Sequence, residues 1–122
     1  MALFDLTPFS KLVAQGPDAE AALQRLCTNN VGRAPGSVVY TQMLNKNGGI
    51  ESDLTVTRLS HDSFMLIGAA AMAVRDRDWI ERNLPSQARM ELVDVTARYA
   101  VLGVMGPRSR ALLQTLTPAR LD

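Results

Sequence analysis

The fold is decided by residues 38–59, which read VVYTQMLNKNGGIESDLTVTRL. Two runs rich in β-branched and aromatic residues, Val38–Leu44 and Ile50–Leu59, flank the polar segment Asn45–Gly49. The Asn47-Gly48 pair within that segment readily supplies the positive φ angles of a tight turn between antiparallel strands. The stretch therefore predicts a β-hairpin.

The second strand of this hairpin alternates between apolar and polar residues, which is the two-residue period of a half-buried strand. The apolar set is Ile50, Leu54 and Val56, and the polar set is Glu51, Asp53, Thr55 and Thr57. We therefore expect a sheet with one face in the core and one polar face.

Two segments outside the hairpin share one construction, a strand followed by Gly-Pro and an amphipathic helix. The first strand is expected near Lys11–Ala14 before Gly16-Pro17, and the second, a buried strand, at Tyr99–Met105 before Gly106-Pro107. Proline suits a first helical turn because its missing N–H needs no partner there. Six of the eleven positions that start at each Gly-Pro pair are identical, which predicts two units built alike. Chance similarity between amphipathic helices is the alternative.

The remaining segments predict two more strands and one more helix. His61-Asp62-Ser63 is expected to form a turn before a strand at Phe64–Ile67, and Met90–Val93 offers another strand. Between them a helix is predicted over Ala70–Asn83, because apolar residues recur at helical spacing and Pro85 follows. Its predicted inner stripe comprises Met72, Ala73, Trp79, Ile80 and Leu84.

The resulting order, β-α-β-β-β-α-β-β-α, predicts an α+β fold in which helices pack on a largely antiparallel sheet. No low-complexity segment or linker interrupts the chain, so we expect no domain boundary within residues 1–122. The cluster Arg75-Asp76-Arg77-Asp78 alternates in sign and is expected on the solvent-facing side of its helix.

Composition argues against several classes of partner. Thirteen basic residues nearly balance twelve acidic ones, and the two signs are interspersed, which argues against a nucleic-acid interface. The longest apolar run, Phe64–Val74, is about half of the ~20 residues that a membrane helix needs. Met1–Phe4 lacks the features of a signal peptide. We expect a soluble chain located in the cytoplasm, or in the mitochondrial matrix if the source is eukaryotic.

Several kinds of chemistry are also disfavoured. Cys27 is the single cysteine, so neither an internal disulfide nor a cysteine-rich metal site is expected, and no metal ligand is assigned. The chain has neither a Gly-x-Gly-x-x-Gly fingerprint nor a phosphate-binding loop, so no flavin or nicotinamide should bind to this chain itself. A nucleophilic triad would require Cys27 and His61 to meet by chance, and His61 is better interpreted as a solvated turn residue.

Tyr40 and Asp53, on the two arms of the hairpin, are the candidate functional pair. A two-residue loop at Lys46-Asn47 would place them directly opposite each other, and a loop at Asn47-Gly48 would make them diagonal neighbours on one face. An odd-length loop would place them on opposite faces. The carboxylate could accept a proton from an amine, and the aromatic ring could stack on the ring system of the same ligand. From spacing alone, a solvated strand aspartate is the simpler interpretation.

Three stretches, residues 39–56, Asp5–Lys11 and Tyr99–Pro107, resemble the folate-binding aminomethyltransferase (glycine-cleavage T-protein) family and occur in its order. Glu-Ser-Asp-Leu-Thr-Val at 51–56 is most similar to the C-terminal domain of sarcosine and dimethylglycine dehydrogenase-like FAD-dependent oxidoreductases. Many T-proteins carry a second acid where this chain has Ser52. The family's folate domain is considerably longer. The resemblance implies that residues 1–122 are the incomplete N-terminal part of a tetrahydrofolate-binding domain.

The resemblance also implies a reaction and its residues. The intact protein would be an enzyme that passes a one-carbon unit from a methylated amine or glycine to tetrahydrofolate. FAD would reside on a separate domain that is absent from this chain. Asp53 matches the family's key acid, which holds and activates a folate nitrogen. Tyr40 matches a residue that lines the folate pocket, Phe9 an apolar pocket position, and Thr55 a small pocket-facing residue.

The partners implied by the resemblance are reduced folate, the remainder of the same domain, and an FAD domain. The fragment alone is expected to be inactive, and exposed strand edges would favour a homodimer. Non-catalytic relatives exist, including the regulatory subunit of pyruvate dehydrogenase phosphatase, so a folate-binding or regulatory module is the alternative. A structural sheet without a ligand is the third interpretation.

Overall fold

A computed structural model describes residues 1–121 of the chain. The strands are β1 (Ala2–Asp5), β2 (Ser10–Gln15), β3 (Val38–Leu44), β4 (Ile50–Arg58), β5 (Ser63–Gly68), β6 (Glu91–Asp94) and β7 (Leu102–Met105). The helices are α1 (Ala19–Leu26), α2 (Ala73–Asn83) and α3 (Ser109–Gln114), with 3₁₀ turns at Ala70–Met72 and Thr96–Arg98. These residues form two compact units, one over Phe9–Tyr99 and one that combines Met1–Pro8 with the segment from Ala100 onward.

The larger unit is built on a five-stranded antiparallel sheet with the order β3-β4-β5-β2-β6. One face of the sheet packs against α1 and α2, because alternate strand residues are apolar and each helix presents an apolar stripe. The predicted α+β fold with a largely antiparallel sheet is therefore confirmed. Residues of its buried core include Leu12, Ala14, Leu23, Met43, Leu54, Val56, Phe64, Leu66 and Ile80.

The two Gly-Pro segments open their helices in the same way. Gly16 and Gly106 have φ angles of 136° and 126°, and each helix begins two residues after its proline. In both turns the N–H of the first helical residue donates to the glycine carbonyl at 3.0 Å. A Cβ on Gly16 would lie 2.3 Å from the Arg89 carbonyl oxygen, so a side chain cannot fit there. The predicted pair of similar strand–helix units is confirmed.

The smaller unit consists of the antiparallel pair β1–β7 and helix α3. The predicted order of elements is found from Ser10 onward, but β1 precedes it and was not predicted. The prediction of a buried strand at 99–105 is wrong in its burial, because Leu102 and Met105 are each more than half exposed. The assignment of both units to one folate-binding domain stays a prediction.

The prediction for the charged cluster of the second helix is wrong at one position. The Asp76 side chain is buried, with 3% of the residue exposed, whereas its neighbours in the cluster are exposed. The reason is helical spacing, since Ala73, Asp76 and Ile80 fall on the inner stripe of α2. The predicted helix also starts as a 3₁₀ turn, so that α2 itself runs over Ala73–Asn83. No helix within residues 1–121 has the length and apolar character needed to cross a membrane.

Candidate functional site

The turn of the β3–β4 hairpin is closed by Asn45. Its N–H donates to the Gly49 carbonyl at 2.9 Å, and its own carbonyl accepts the Gly48 N–H at 2.9 Å. The Asn45 Oδ1 also accepts the N–H groups of Asn47 and Gly49, each at 3.0 Å. Gly48 has a φ of 82°, a conformation that glycine adopts without steric cost. The turn therefore spans five residues, Asn45–Gly49, with Leu44 opposite Ile50.

A β-bulge directly after the turn changes the register of the hairpin. Leu44 pairs with Ile50 but Met43 pairs with Ser52, so Glu51 is the extra residue on β4. A five-residue turn alone would have placed Tyr40 and Asp53 on opposite faces, and the one-residue bulge brings them back to the same face. The bulge also explains why Ile50, predicted to lie on the core face, is 63% exposed.

Tyr40 and Asp53 are therefore diagonal neighbours on one face of the sheet. Tyr40 lies opposite Thr55, and Asp53 lies opposite Gln42. This is the diagonal arrangement expected for a loop at Asn47-Gly48, although a longer turn and a bulge produce it. A hydrogen bond to the Asp53 carboxylate raises the pKa of the Tyr40 phenol, with desolvation adding to the rise and Gln42 opposing it. Both residues are exposed, Tyr40 by 62%.

The face that carries Asp53 is called the outer face here, and it is partly apolar. Thr55 on β4 lies between Tyr40 on β3 and Ile67 on β5, directly opposite both. Thr55 and Ile67 are half-buried. The predicted site residues Asp53, Tyr40 and Thr55 are thus brought together on adjacent strands. Phe9 is 37% exposed and lies directly before β2, which β5 separates from β4.

The bulge residue Glu51 is tied to both the turn and helix α2. Its carboxylate accepts the Asn45 side-chain N–H at 2.7 Å and the Arg75 guanidinium at 2.5 Å. These two partners, Asn45 first, lower the pKa of Glu51. The bulge is therefore fixed by side-chain contacts, and α2 contributes to the orientation of the strand that carries Asp53.

The buried carboxylate of Asp76 lies on the core side of the same strand. A Cβ on Gly68 would lie 2.9 Å from the Asp76 Oδ2, so glycine at this position makes room for the carboxylate. Burial raises the pKa of Asp76, the Ser52 hydroxyl and Arg75 lower it, and the Asp53 charge adds to the rise. The Ser52 hydroxyl is close enough to act on the carboxylate. Among the residues that the structure describes, however, the Ser52 Oγ and the Asp76 Oδ1 have no partner with hydrogen-bond geometry.

Three cavities of the larger unit are not lined by the predicted site residues. Cavities of about 320, 350 and 270 Å³ are lined by residues other than Phe9, Tyr40, Asp53 and Thr55. Asp53 and Tyr40 instead lie on an open surface of the sheet. What this surface offers a ligand is a carboxylate acceptor, a phenol and a half-buried floor formed by Thr55 and Ile67.

Comparisons with known proteins match the chain over its whole length. The family model for the GCVT N-terminal domain matches residues 1–122. An aminomethyltransferase of Halothermothrix orenii is 36% identical over 121 residues, which cover 98% of this chain and 33% of that protein. Human mitochondrial sarcosine dehydrogenase is 38% identical over 135 residues, which cover 99% of this chain and 15% of that protein.

A solved structure agrees with this assignment. The crystal structure of the glycine cleavage system aminomethyltransferase T from Bartonella henselae superposes with a TM-score of 0.83 at 26% identity. The superposition covers 93% of this chain and 31% of that one. The chain thus spans about a third of the length of the aminomethyltransferases that it matches, and a smaller share of the dehydrogenase.

Proposed function

This chain belongs to the GCVT N-terminal domain family, and we propose that it presents the folate-facing acid of a one-carbon transferase. In a longer polypeptide, the one-carbon unit would pass from a methylated amine or glycine to tetrahydrofolate. The chain is an aminomethyltransferase-family domain with sarcosine dehydrogenase-like relatives. The observation that carries the proposal is the pairing of Asp53 with Tyr40 on the open outer face.

The proposed role of Asp53 follows from the chemistry of a carboxylate beside a phenol. An ionised carboxylate only accepts hydrogen bonds, so it suits a reduced pterin, whose ring nitrogens carry N–H groups. The Asp53 carboxylate raises the pKa of the neighbouring Tyr40 phenol, so the phenol keeps its proton and can donate it in a hydrogen bond. As general base or acceptor, Asp53 would hold the folate nitrogen that receives the one-carbon unit. Proton transfer by a group of this kind typically contributes about 10² to 10⁴ in rate.

The residues around this pair fit a flat, partly apolar ligand. The Tyr40 ring is 62% exposed and so is available to stack on a ring system. Thr55 and Ile67 are half-buried and supply a shallow floor beside it. We expect the isolated chain to bind tetrahydrofolate weakly, because the floor has no opposing wall within the larger unit's sheet.

The proposal assigns oxidation chemistry to another part of the longer polypeptide. A flavin on a separate domain would oxidise the N-methyl group of the amine before transfer, as the sarcosine dehydrogenase likeness suggests. The remainder of the folate domain would be the other partner. Homodimer formation and a cytoplasmic or mitochondrial location also stay predictions.

Replacement of the acid in a full-length transferase that contains this chain tests the function. We expect Asp53→Asn to lower the rate of 5,10-methylenetetrahydrofolate formation by about 10² to 10⁴ with little change in thermal stability, because the side chain is exposed. Asp62→Asn, which also replaces an exposed aspartate and lies in the β4–β5 turn, serves as the control and should leave the rate unchanged. A normal rate for Asp53→Asn would remove this residue from the mechanism.

A further inference from the structure

Helix α2 contacts the two residues of β4 that directly precede Asp53. The Arg75 guanidinium donates to the Glu51 carboxylate at 2.5 Å. The next residue of the helix, Asp76, has its carboxylate near the hydroxyl of Ser52, which is the next residue of the strand. Consecutive residues of the helix therefore meet consecutive residues of the strand, immediately before the acid that is proposed to face the folate.

The contact between Ser52 and Asp76 lies on the core side of the sheet and is closed to solvent. Ser52 is 2% exposed and Asp76 is 3% exposed. A Cβ on Gly68 would lie 2.9 Å from the Asp76 Oδ2, so the carboxylate occupies space that a side chain on β5 would fill. A carboxyl group is costly to bury unless it has a hydrogen-bond partner. The position of Asp76 therefore calls for a polar partner on the sheet.

Ser52 and Asp76 each have one buried oxygen that is available for this contact. Among the residues that the structure describes, the Ser52 Oγ and the Asp76 Oδ1 have no partner with hydrogen-bond geometry. Such atoms are unfavourable in a protein interior. A serine hydroxyl can rotate to donate to a neighbouring carboxyl oxygen. One hydrogen bond between the two side chains would therefore satisfy both atoms.

The orientation of Asp53 depends on how the preceding residue is held. Successive side chains of a strand point to opposite faces, so Ser52 points to the core side and Asp53 to the outer face. The bulge at Glu51 interrupts the regular pairing of β4 directly before these two residues. An anchor at Ser52 therefore fixes the backbone from which the Asp53 side chain leaves the sheet.

We propose that Asp76 is a positioning residue for Asp53, because it holds Ser52 and thereby the part of β4 that presents the acid to a ligand. This inference rests on the proposed function of Asp53, although the contact itself can be tested without a ligand. Arg75 provides the second anchor at Glu51. Asp76 does not touch the ligand, since its carboxylate lies on the core side of the sheet.

The Tyr40 phenol reports on the orientation of Asp53, because a hydrogen bond to that carboxylate contributes most to its raised pKa. Asp76→Ala removes the contact with Ser52, whereas the amide oxygen of Asp76→Asn can accept the same hydrogen bond. Both substitutions remove the charge of the carboxylate, so a difference between the two variants measures the contact. We expect the Tyr40 phenol to titrate at a lower pH in Asp76→Ala than in Asp76→Asn, as measured by NMR of the tyrosine ring in the 122-residue chain.

Two further variants show whether the effect passes through the serine. Ser52→Ala should lower the pKa of Tyr40 as Asp76→Ala does, and the double variant should show no further fall, because the two side chains form one contact. Ile80→Val, which removes one buried methylene group one turn further along α2, is the control for a loss of packing. It should lower the stability of the chain and leave the Tyr40 titration in place.

The rate of transfer gives a second readout in a full-length transferase that contains this chain. Asp76→Ala should lower kcat for 5,10-methylenetetrahydrofolate formation by about 10- to 100-fold, the scale expected when a catalytic group is misplaced. Asp76→Asn and Ile80→Val should retain kcat. Equal kcat values in Asp76→Ala and Asp76→Asn would overturn the positioning role, whatever the Tyr40 titration shows.

The remaining outcomes separate this inference from the proposed function. Additive effects of Asp76→Ala and Ser52→Ala on the Tyr40 titration would show that the two residues do not act through one contact. If Asp76→Ala does not fold, Ser52→Ala decides, and a kcat equal to that of the unsubstituted transferase would exclude the positioning role. A normal rate for Asp53→Asn would instead overturn the proposed function while leaving the contact between Ser52 and Asp76 in place.

Discussion

The Asp53 carboxylate raises the pKa of the Tyr40 phenol because the two residues lie diagonally on one face of the β3–β4 hairpin. Hydrogen bonding to the carboxylate contributes most to this rise in pKa, and its negative charge also opposes loss of the phenol proton. A ligand that binds here therefore meets a carboxylate with a protonated phenol beside it.

This pairing predicts a titration that can be measured without a ligand. Asp53→Asn removes the charge that holds up the pKa of Tyr40, so the phenol should titrate at a lower pH than in the unsubstituted chain. Ultraviolet absorbance or NMR of the tyrosine ring measures the shift. Asp62→Asn should leave the Tyr40 titration in place, and an unchanged pKa in Asp53→Asn would show that the two groups do not interact.

Asp76 predicts a pH dependence of folding stability. Burial raises the pKa of the Asp76 carboxyl in the folded state above its usual range. The favourable contribution of Asp76 to the free energy of unfolding is therefore fully present below the pKa that this group has in the unfolded state. It is lost as the pH rises through the pKa of the folded state. The side chain in Asp76→Asn cannot ionise, so this loss does not occur in the variant. The free energy of unfolding of Asp76→Asn, relative to that of the unsubstituted chain, should therefore increase from pH 3 towards pH 7. Urea unfolding across that range measures the difference, and a difference that does not vary with pH would contradict the interpretation.

At the scale of elements, the hairpin is defined by two irregularities that compensate each other. The five-residue turn shifts the strands by one position, and the bulge at Glu51 shifts them back. Both depend on Asn45, which closes the turn through its backbone and holds Glu51 through its side chain. The face on which Asp53 lies is therefore determined by the turn as much as by the strand.

A substitution in the turn tests this dependence. Gly48 has a φ of 82° and open space around the position of a Cβ, so Gly48→Ala introduces only a backbone cost. We expect a loss of stability of about 1–2 kcal/mol. Gly48→Asn should lose less, because asparagine tolerates positive φ. Thermal or urea unfolding measures both variants. Equal stability of Gly48→Ala and the unsubstituted chain would show that the turn differs from the one described.

Local pattern predicted most of the elements and failed where partners are distant in sequence. The bounds of β3 and the start of β4 followed from alternation and from turn residues, which act over a few positions, whereas β4 ends at Arg58, one residue before the predicted Leu59. The bulge was not predicted in this way, because one of the two side chains that hold Glu51 is Arg75, on a helix further along the chain. Strand β1 was missed for the same reason, since its partner β7 lies near the other end of the chain.

The residues of the candidate site also divide into those that the sequence predicted and those that it did not. Tyr40, Asp53 and Thr55 came from the hairpin pattern and the family resemblance, and the structure brings them together. Asp76 was assigned to solvent because its charged neighbours dominated the local pattern, although its spacing from Ala73 and Ile80 was enough to place it on the inner stripe.

At the scale of the whole molecule, the chain has an exposed sheet surface and is shorter than the proteins that it matches. It spans about a third of the aminomethyltransferases that it matches. The outer face is partly apolar and exposed, and the smaller unit exposes Leu3, Leu102 and Leu116. Exposed apolar surface of this kind commonly marks an interface. We therefore expect a full-length transferase to bind reduced folate more tightly than this chain does.

The most direct test of the central claim is an NMR titration of ¹⁵N-labelled chain with tetrahydrofolate, carried out in parallel on Asp53→Asn. The account predicts that the largest amide shifts occur at Tyr40, Asp53 and Thr55 and that Asp53→Asn weakens the binding that they report. Shifts confined to the core side of the sheet or to the smaller unit, or binding that is the same in Asp53→Asn, would contradict it.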